Sequence, residues 1–356
     1  MSRDPWLDNA KMLLVTLVVV GHTWALLAFT GLHNQLYNFL YLWHMPAFVM
    51  LTGYLSQRFT YSPQRVWGLV RGLLVPYVIV EAALAAFRVA VGGEKPFHHL
   101  WVSPHWPLWY LPAVFCWRLA SPALRRLGFA ALPVAVAISL VGGYLDWDYL
   151  ALRRILGFLP FFTLGLLATR HSVDRLRALP RVVPVAVLVG GWFAMAAIGS
   201  WGQTRWLYYS WTYAHLDSAL PPVLTRLALL TAGALAALAV LALVPARQSW
   251  FTRMGSVSLV VYLCHGFVVK SVSYSGIPAW ADAHGTLGLI VTAAGAIGVG
   301  LALASAPVSS VLQRAIDPLT YAEQRFDVAR DLQFRAAQLS RSRRTRMAGG
   351  YERVPA

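Results

Sequence analysis

Four ionisable side chains stand inside long apolar runs of this 356-residue chain: His22, His44, Glu81 and His265. In hydrocarbon each of them needs a partner, a wet cavity or a chemical task. A neutral imidazole can take a proton from a hydroxyl, or carry an acyl group on its unprotonated nitrogen, and a carboxylate can hold a histidine's second nitrogen in place. Spacing says most in the first run, LDNAKMLLVTLVVVGH, which carries Asp8, Lys11 and His22 in order. From Lys11 to His22 is about three helical turns, roughly 16 Å, so the cation sits at the inner interface with the imidazole above it on nearly one face, near the membrane midplane. Such a cation can hold the phosphates of a cytoplasmic donor such as coenzyme A while the deeper imidazole deprotonates an alcohol. The same rise per residue places His44 roughly 12 Å below the outer surface and His265 roughly 14 Å from the inner one. Glu81 comes roughly 22 Å from the cytoplasm, within reach of a histidine.

Each residue also has a purely structural reading. Lys11 alone is a snorkelling anchor, and Arg71 a helix-end anchor. His44 precedes Pro46 and can bond a carbonyl that the proline frees. Glu81 and His265 can satisfy one another without any catalysis. Cys116 and Cys264 both fall in apolar runs and suggest neither a disulfide nor a metal cluster, so no metal site is expected.

The elements that must position these groups are membrane helices. The chain is 58% hydrophobic and only 12% charged, where a soluble domain carries about 25% charged residues. Apolar windows predict helices at 10–29, 36–55, 66–89, 107–119, 127–145, 155–168, 182–200, 222–244, 256–269 and 287–312. The fold class expected is all-α: a polytopic membrane protein of about ten transmembrane helices with both termini cytoplasmic. That count puts most Lys and Arg residues on the inner face and fewer, such as Arg88, Arg153, Arg154 and Arg226, outside. The net charge of +16 is therefore topology and not a nucleic-acid footprint. One membrane domain fills 1–313. Residues 314–356 form a basic cytoplasmic tail, an amphipathic helix on the inner leaflet followed by disorder. Two outer loops, near 92–105 and 201–221, are rich in Trp, Tyr and His, which suits an interfacial belt or a sugar-facing rim.

The segments LDNAKMLLVTLVVVGHTW, LYLWHMPAFVMLTGYL, RVWGLVRGLLVPY, PLWYLPAVFCWRL and SVSLVVYLCHGFVVK, in this order, resemble the acyltransferase 3 family, especially its fucose 4-O-acetylase-like branch. The resemblance implies about ten membrane helices, a cytoplasmic acyl-CoA donor and a sugar acceptor at the outer face. It identifies His22 with the family's essential histidine and Lys11 with the arginine many members carry there. Of the paired arginines at the start of the third helix only Arg71 is present. Gly68 replaces the first, with Arg65 able to substitute.

The expected activity is transfer of an acyl group, most simply acetyl from acetyl-CoA, to a carbohydrate hydroxyl, for example on an exopolysaccharide of the cell envelope, at the plasma membrane. His22, Glu81 and His44 are the catalytic candidates. Lys11, Arg65 and Arg71 would bind the donor, and Asp8, Trp109, Tyr110 and His265 would line the substrate site, Trp109 or Tyr110 serving as an oxyanion donor. The competing reading is a proton-coupled transporter or flippase using the same histidines and Glu81 as a relay, which the absence of an internal repeat disfavours. A non-catalytic scaffold ranks last.

Overall fold

The computed structural model describes residues 4–28, 30–95, 97, 99–198 and 203–319. Among them the regular structure is all helical. Helix α1 spans Pro5–Trp24, opened by the Asp4 carboxylate, which accepts the Trp6 N–H at 3.0 Å, and by Pro5 in the first turn. It therefore starts before the predicted 10–29 window and stops short of its end. Helix α2 (Gly31–Leu55) runs through Pro46. The third run is α3 (Pro63–Leu69), a π-helical turn over Val70–Leu74, and α4 (Val75–Ala90). Pro76 has no N–H to give and crowds the carbonyl four residues back, and the strain is absorbed where the Val75 N–H reaches Val70 O, five residues away.

Helices α5 (Tyr110–Leu127) and α6 (Ala131–Gly142) are separated by a 3-10 turn at Gly128, whose φ of +54° suits glycine. Helix α7 (Leu152–Leu167) bends by 56° just before Pro160. A short polar helix α8 (Arg170–Arg177), opened by a Thr169/Ser172 capping box, turns through 85° into α9 (Val182–Ile198). Helix α10 covers Pro222–Leu243; a 3-10 segment, Thr252–Val257, leads into α11 (Ser258–Ser273). The last elements are α12 (Ile277–Ala283), which hydrophobic periodicity did not predict, then α13 (Thr286–Ala304) and α14 (Ala306–Ile316), divided at Ser305 ahead of Pro307.

Each of the ten predicted apolar runs contains a helix among the described residues, with shifted bounds. Among the described residues five stretches, Pro63–Ala90, Tyr110–Gly142, Pro222–Leu243, Thr252–Ser273 and Thr286–Ala304, are each long and apolar enough to cross a bilayer, and two bent pairs raise the number to seven. Apolar side chains turned outward fit lipid: Val182, Val185, Val189 and Phe193 line the exposed face of α9. The tail beyond residue 319, read from sequence as an amphipathic helix, lies outside the described residues.

Helix α1 is central, packed against α2, α11, α13 and the 252–257 segment, while α2 also packs on α7, α9 and α10. Two glycines let α2 and α7 meet at backbone distance: a Cβ on Gly53 would lie 2.1 Å from Phe162 O, and one on Gly165 only 1.8 Å from Met50 O. Close approach through small residues replaces hydrophobic collapse as the means of association in lipid. Buried polar groups are tied in as well. Asn9 donates to Pro245 O at 2.8 Å and Arg247 O at 3.0 Å, and accepts from the Thr252 hydroxyl at 2.7 Å.

Candidate active site

The C-terminal end of α1, the first half of α2, the start of α7 and two loops enclose a cavity of about 670 Å³, its mouth included. His22, Tyr37, Tyr41, His44, Trp106, Trp109, Arg154 and Tyr208 are among its lining residues. Tyr37, Tyr41 and His44 share one face of α2 because they are spaced four and three residues apart. The Tyr37 ring stacks on Tyr41 at 4.2 Å, and its hydroxyl meets that of Tyr208 at 2.9 Å. This is an aromatic wall with polar tips, able to meet both an apolar face and hydrogen-bonding groups of a ligand.

His22 lies in the last turn of α1, so it stands near one end of a 20-residue helix and not halfway along a longer one, as the 10–29 window implied. Its Nδ1 is 3.4 Å from the Tyr41 hydroxyl, and Nε2 carries no hydrogen bond among the described residues. The Trp106 ring packs against it at 4.3 Å with planes tilted by 57°, and the His265 ring stacks on it at 5.3 Å with planes 17° apart. His44 lines the same cavity and donates from Nδ1 to Leu40 O at 2.8 Å. That acceptor is not Leu42 O, the carbonyl that Pro46 deprives of its usual donor; instead Gly233 of α10 packs closely over Leu42 O.

Arg154, assigned from sequence to the orienting charges of an outer loop, belongs to the cavity wall. Its guanidinium sits 5.4 Å from the Trp109 ring centre, and no carboxylate among the described residues comes within ion-pair distance. Asp148 is engaged by Arg153, through the backbone N–H at 2.8 Å and the guanidinium at 3.5 Å. The cavity therefore presents an imidazole, a cation and several hydroxyls together.

Other candidates fall elsewhere. Glu81, fully buried, does not reach His22, His44 or His265: its carboxylate accepts from the backbone N–H of His105 at 3.0 Å and from His105 Nδ1. The pairing of Glu81 with His265 is thereby corrected, because His265 Nδ1 turns to Tyr262 O at 2.5 Å one helical turn back. Of the two predicted aromatic donors only Trp109 lines the cavity. Tyr110 points into the core, with its hydroxyl against Thr52 and Phe48 O.

At the opposite end of α1, Lys11 Nζ lies 2.6 Å from the Asp8 carboxylate, so Asp8 is an ion-pair partner of Lys11 far from the His22 cavity. A separate cavity there is lined by Asp8, Trp250 and Arg253 and shares no residue with the first. Between the two, α1 buries Met12, Leu14, Val15, Val18 and Val19 against its neighbours. Arg65 is exposed and donates to Arg58 O, and Arg71 is half-buried in the π-turn.

Sequence reasoning missed Arg154, Trp106, His105 and the three tyrosines. The spacing of Tyr37, Tyr41 and His44 was a usable signal, since it sets a polar stripe on an apolar helix. No group of three or more His, Cys, Asp or Glu residues able to hold a metal occurs among the described residues.

Comparison with known proteins points the same way. The chain is 26% identical over 301 residues to Nodulation protein NolL of Sinorhizobium fredii (strain NBRC 101917 / NGR234), covering 76% of this chain and 79% of that protein. It is 23% identical over 305 residues to Nodulation protein NolL of Mesorhizobium japonicum (strain LMG 29417 / CECT 9101 / MAFF 303099), covering 76% and 77%. No solved structure matches. The acyltransferase domain matches residues 4–306, a stretch that contains the whole cavity and every helix from α1 through α13, and the chain accordingly belongs to the acyltransferase 3 family of membrane acyltransferases.

Proposed function

We propose that this acyltransferase moves an acyl group, most simply acetyl from acetyl-CoA, to a hydroxyl of a carbohydrate, with His22 as the reacting imidazole. The observation that carries the reading is the meeting of His22, Arg154 and tyrosine hydroxyls in one aromatic-walled cavity. With Nδ1 protonated and directed at the Tyr41 oxygen, Nε2 is the base. It removes the proton of the acceptor hydroxyl as that oxygen bonds to the thioester carbon. The negative oxygen that results faces the Arg154 guanidinium; the C–S bond then breaks and the departing thiolate takes the proton from the imidazolium. His22 as a transient acyl carrier uses the same nitrogen and the same cavity.

The topology that goes with this reading has about ten spans and both termini inside, with a membrane domain over 1–313 and a basic tail over 314–356 at the plasma membrane. Lys11, Arg65 and Arg71 then lie toward the cytoplasm, where the phosphates of coenzyme A are available to them. The packed stretch of α1 between Lys11 and His22 requires neighbouring helices to part for the pantetheine arm to pass. An acceptor such as an exopolysaccharide of the cell envelope would reach the cavity from the outer side, past Trp106 and Tyr208.

The test is purified full-length protein with labelled acetyl-CoA and a panel of glycans. Label should appear in glycan with wild type and not with His22→Ala. Transfer by His22→Ala at the wild-type rate would remove this residue from the mechanism. Mass spectrometry of envelope glycans from cells with and without the protein identifies the acceptor.

A further inference from the structure

The wall of the cavity above His22 is a loop held at both of its ends. At His105 the loop is fastened to α4: the Glu81 carboxylate, buried in that helix, takes both the backbone N–H and the ring Nδ1 of His105. At Pro107 it is fastened to α11: the Tyr262 hydroxyl donates to Pro107 O and lies 3.3 Å from the N–H of Tyr110, while Gly266 leaves room for the proline ring. Trp106 is the residue between the two fastenings, and its ring packs against His22 with centroids 4.3 Å apart and planes tilted by 57°. The far side is braced as well, since Phe97 meets the His105 ring edge-on at 4.6 Å and Arg88 sits over Phe97 at 4.2 Å. A carboxylate buried in an apolar helix is costly, and this one spends all its shown hydrogen bonds on a single loop residue next to the cavity.

We propose that Glu81 and His105 form a latch that presses Trp106 onto His22 and so keeps water from competing with the sugar hydroxyl. Glu81 and His105 are positioning residues, and Trp106 is the group that touches the reacting imidazole. The inference rests on the acyl-transfer reading above. If water takes the acceptor's place, its oxygen bonds to the acyl carbon and His22 removes its proton. The C–S bond then breaks, the thiolate recovers that proton, and the acyl group leaves as the free acid. A site open to water loses donor in this way, and an aromatic ring over the base suppresses it.

Two measurements on the full-length protein test the latch. In the first, labelled acetyl-CoA and a glycan acceptor are supplied and free acetate is compared with acetylated glycan. Trp106→Ala and His105→Ala should raise the ratio of hydrolysis to transfer by about tenfold or more, and Trp106→Phe, which keeps a ring over His22, should stay within about twofold of wild type. In the second, which needs no turnover, His22 is carbethoxylated with diethyl pyrocarbonate and the modified peptide is quantified by mass spectrometry. Its modification should quicken in Trp106→Ala and His105→Ala and remain slow in Trp106→Phe. An unchanged partition together with an unchanged rate at His22 in a folded alanine variant overturns the latch. Absence of any acyl-CoA turnover in wild type instead overturns the proposed function and leaves the carbethoxylation result to decide the latch by itself.

Discussion

Gly165→Ala tests whether the cavity depends on backbone contact between α2 and α7. The new methyl group would fall 1.8 Å from Met50 O, 2.6 Å from its carbonyl carbon and 2.9 Å from its Cα, where ordinary contact begins at 3.4 Å. All three atoms are backbone, so no side chain can swing away, and the helices must part by about 1.6 Å locally. Overpacking of this severity costs about 3 kcal/mol, enough to lower the unfolding midpoint of a chain of this size by about 4 °C. Helix α2 carries Tyr41 and His44 into the cavity, and α7 carries Arg154 and Phe158. A displacement near 1 Å at a reacting centre costs about a hundredfold in rate. Thermal unfolding in detergent, followed by intrinsic fluorescence, and transfer of labelled acetyl at a temperature well below the midpoint should show both losses. A Gly165→Ala protein with wild-type midpoint and wild-type transfer would refute the view that this contact sets the cavity walls, whereas Gly190→Ala, which meets nothing within 4 Å, should be silent in both assays.

Arg154→Met should lower kcat by about a hundredfold, the scale of losing one oxyanion-stabilising donor, with a much smaller change in KM for the acceptor, as steady-state kinetics will show. Asn9→Ala leaves two carbonyls and the Thr252 hydroxyl without their shared partner, and should cost about 1–3 kcal/mol for the unpaired groups, read as a lower unfolding midpoint. Glu94, in the loop after α4, is held down to about 2 chiefly by its hydrogen bond with Arg88, with Tyr274 and Lys270 adding to it. Because its folded pKa lies below the ordinary 4.5, its contribution is complete above that pH and fades as pH falls from 4.5 through 2. Glu94→Gln should therefore flatten this acid limb in a pH series of unfolding midpoints, while changing stability at neutral pH by less than about 1 kcal/mol.

The helices were legible because a bilayer demands long apolar runs, and each predicted run holds a helix among the described residues, though with shifted bounds. Their breaks were only partly legible: Pro76, Pro160 and Pro307 sit at or beside a π-turn, a bend and a helix division, and only the geometry tells which. In the site, His22 was legible as an imidazole in hydrocarbon, and its neighbours were less so. Arg154 looked like one of a pair of outer-loop cations because hydropathy says nothing about which way a helix-end side chain folds back. Glu81 was recognisable as needing a partner, but the partner, His105, arrives from a loop that no periodicity marks. Tyr110 and Trp109 are adjacent in sequence and diverge by one step of the helix, one into the core and one into the cavity.

The widened turn at Val70–Leu74 does more than accommodate Pro76. An extra residue in one turn advances everything after it by about 100° around the helix axis. The orientation of Glu81, two turns further on, is thus fixed by a spacing defect that contains Arg71, nearer the other end of the same stretch. Removing a single residue between 70 and 74 would restore a regular spiral and rotate that carboxylate away from His105, so the two ends of this stretch are geared to one another.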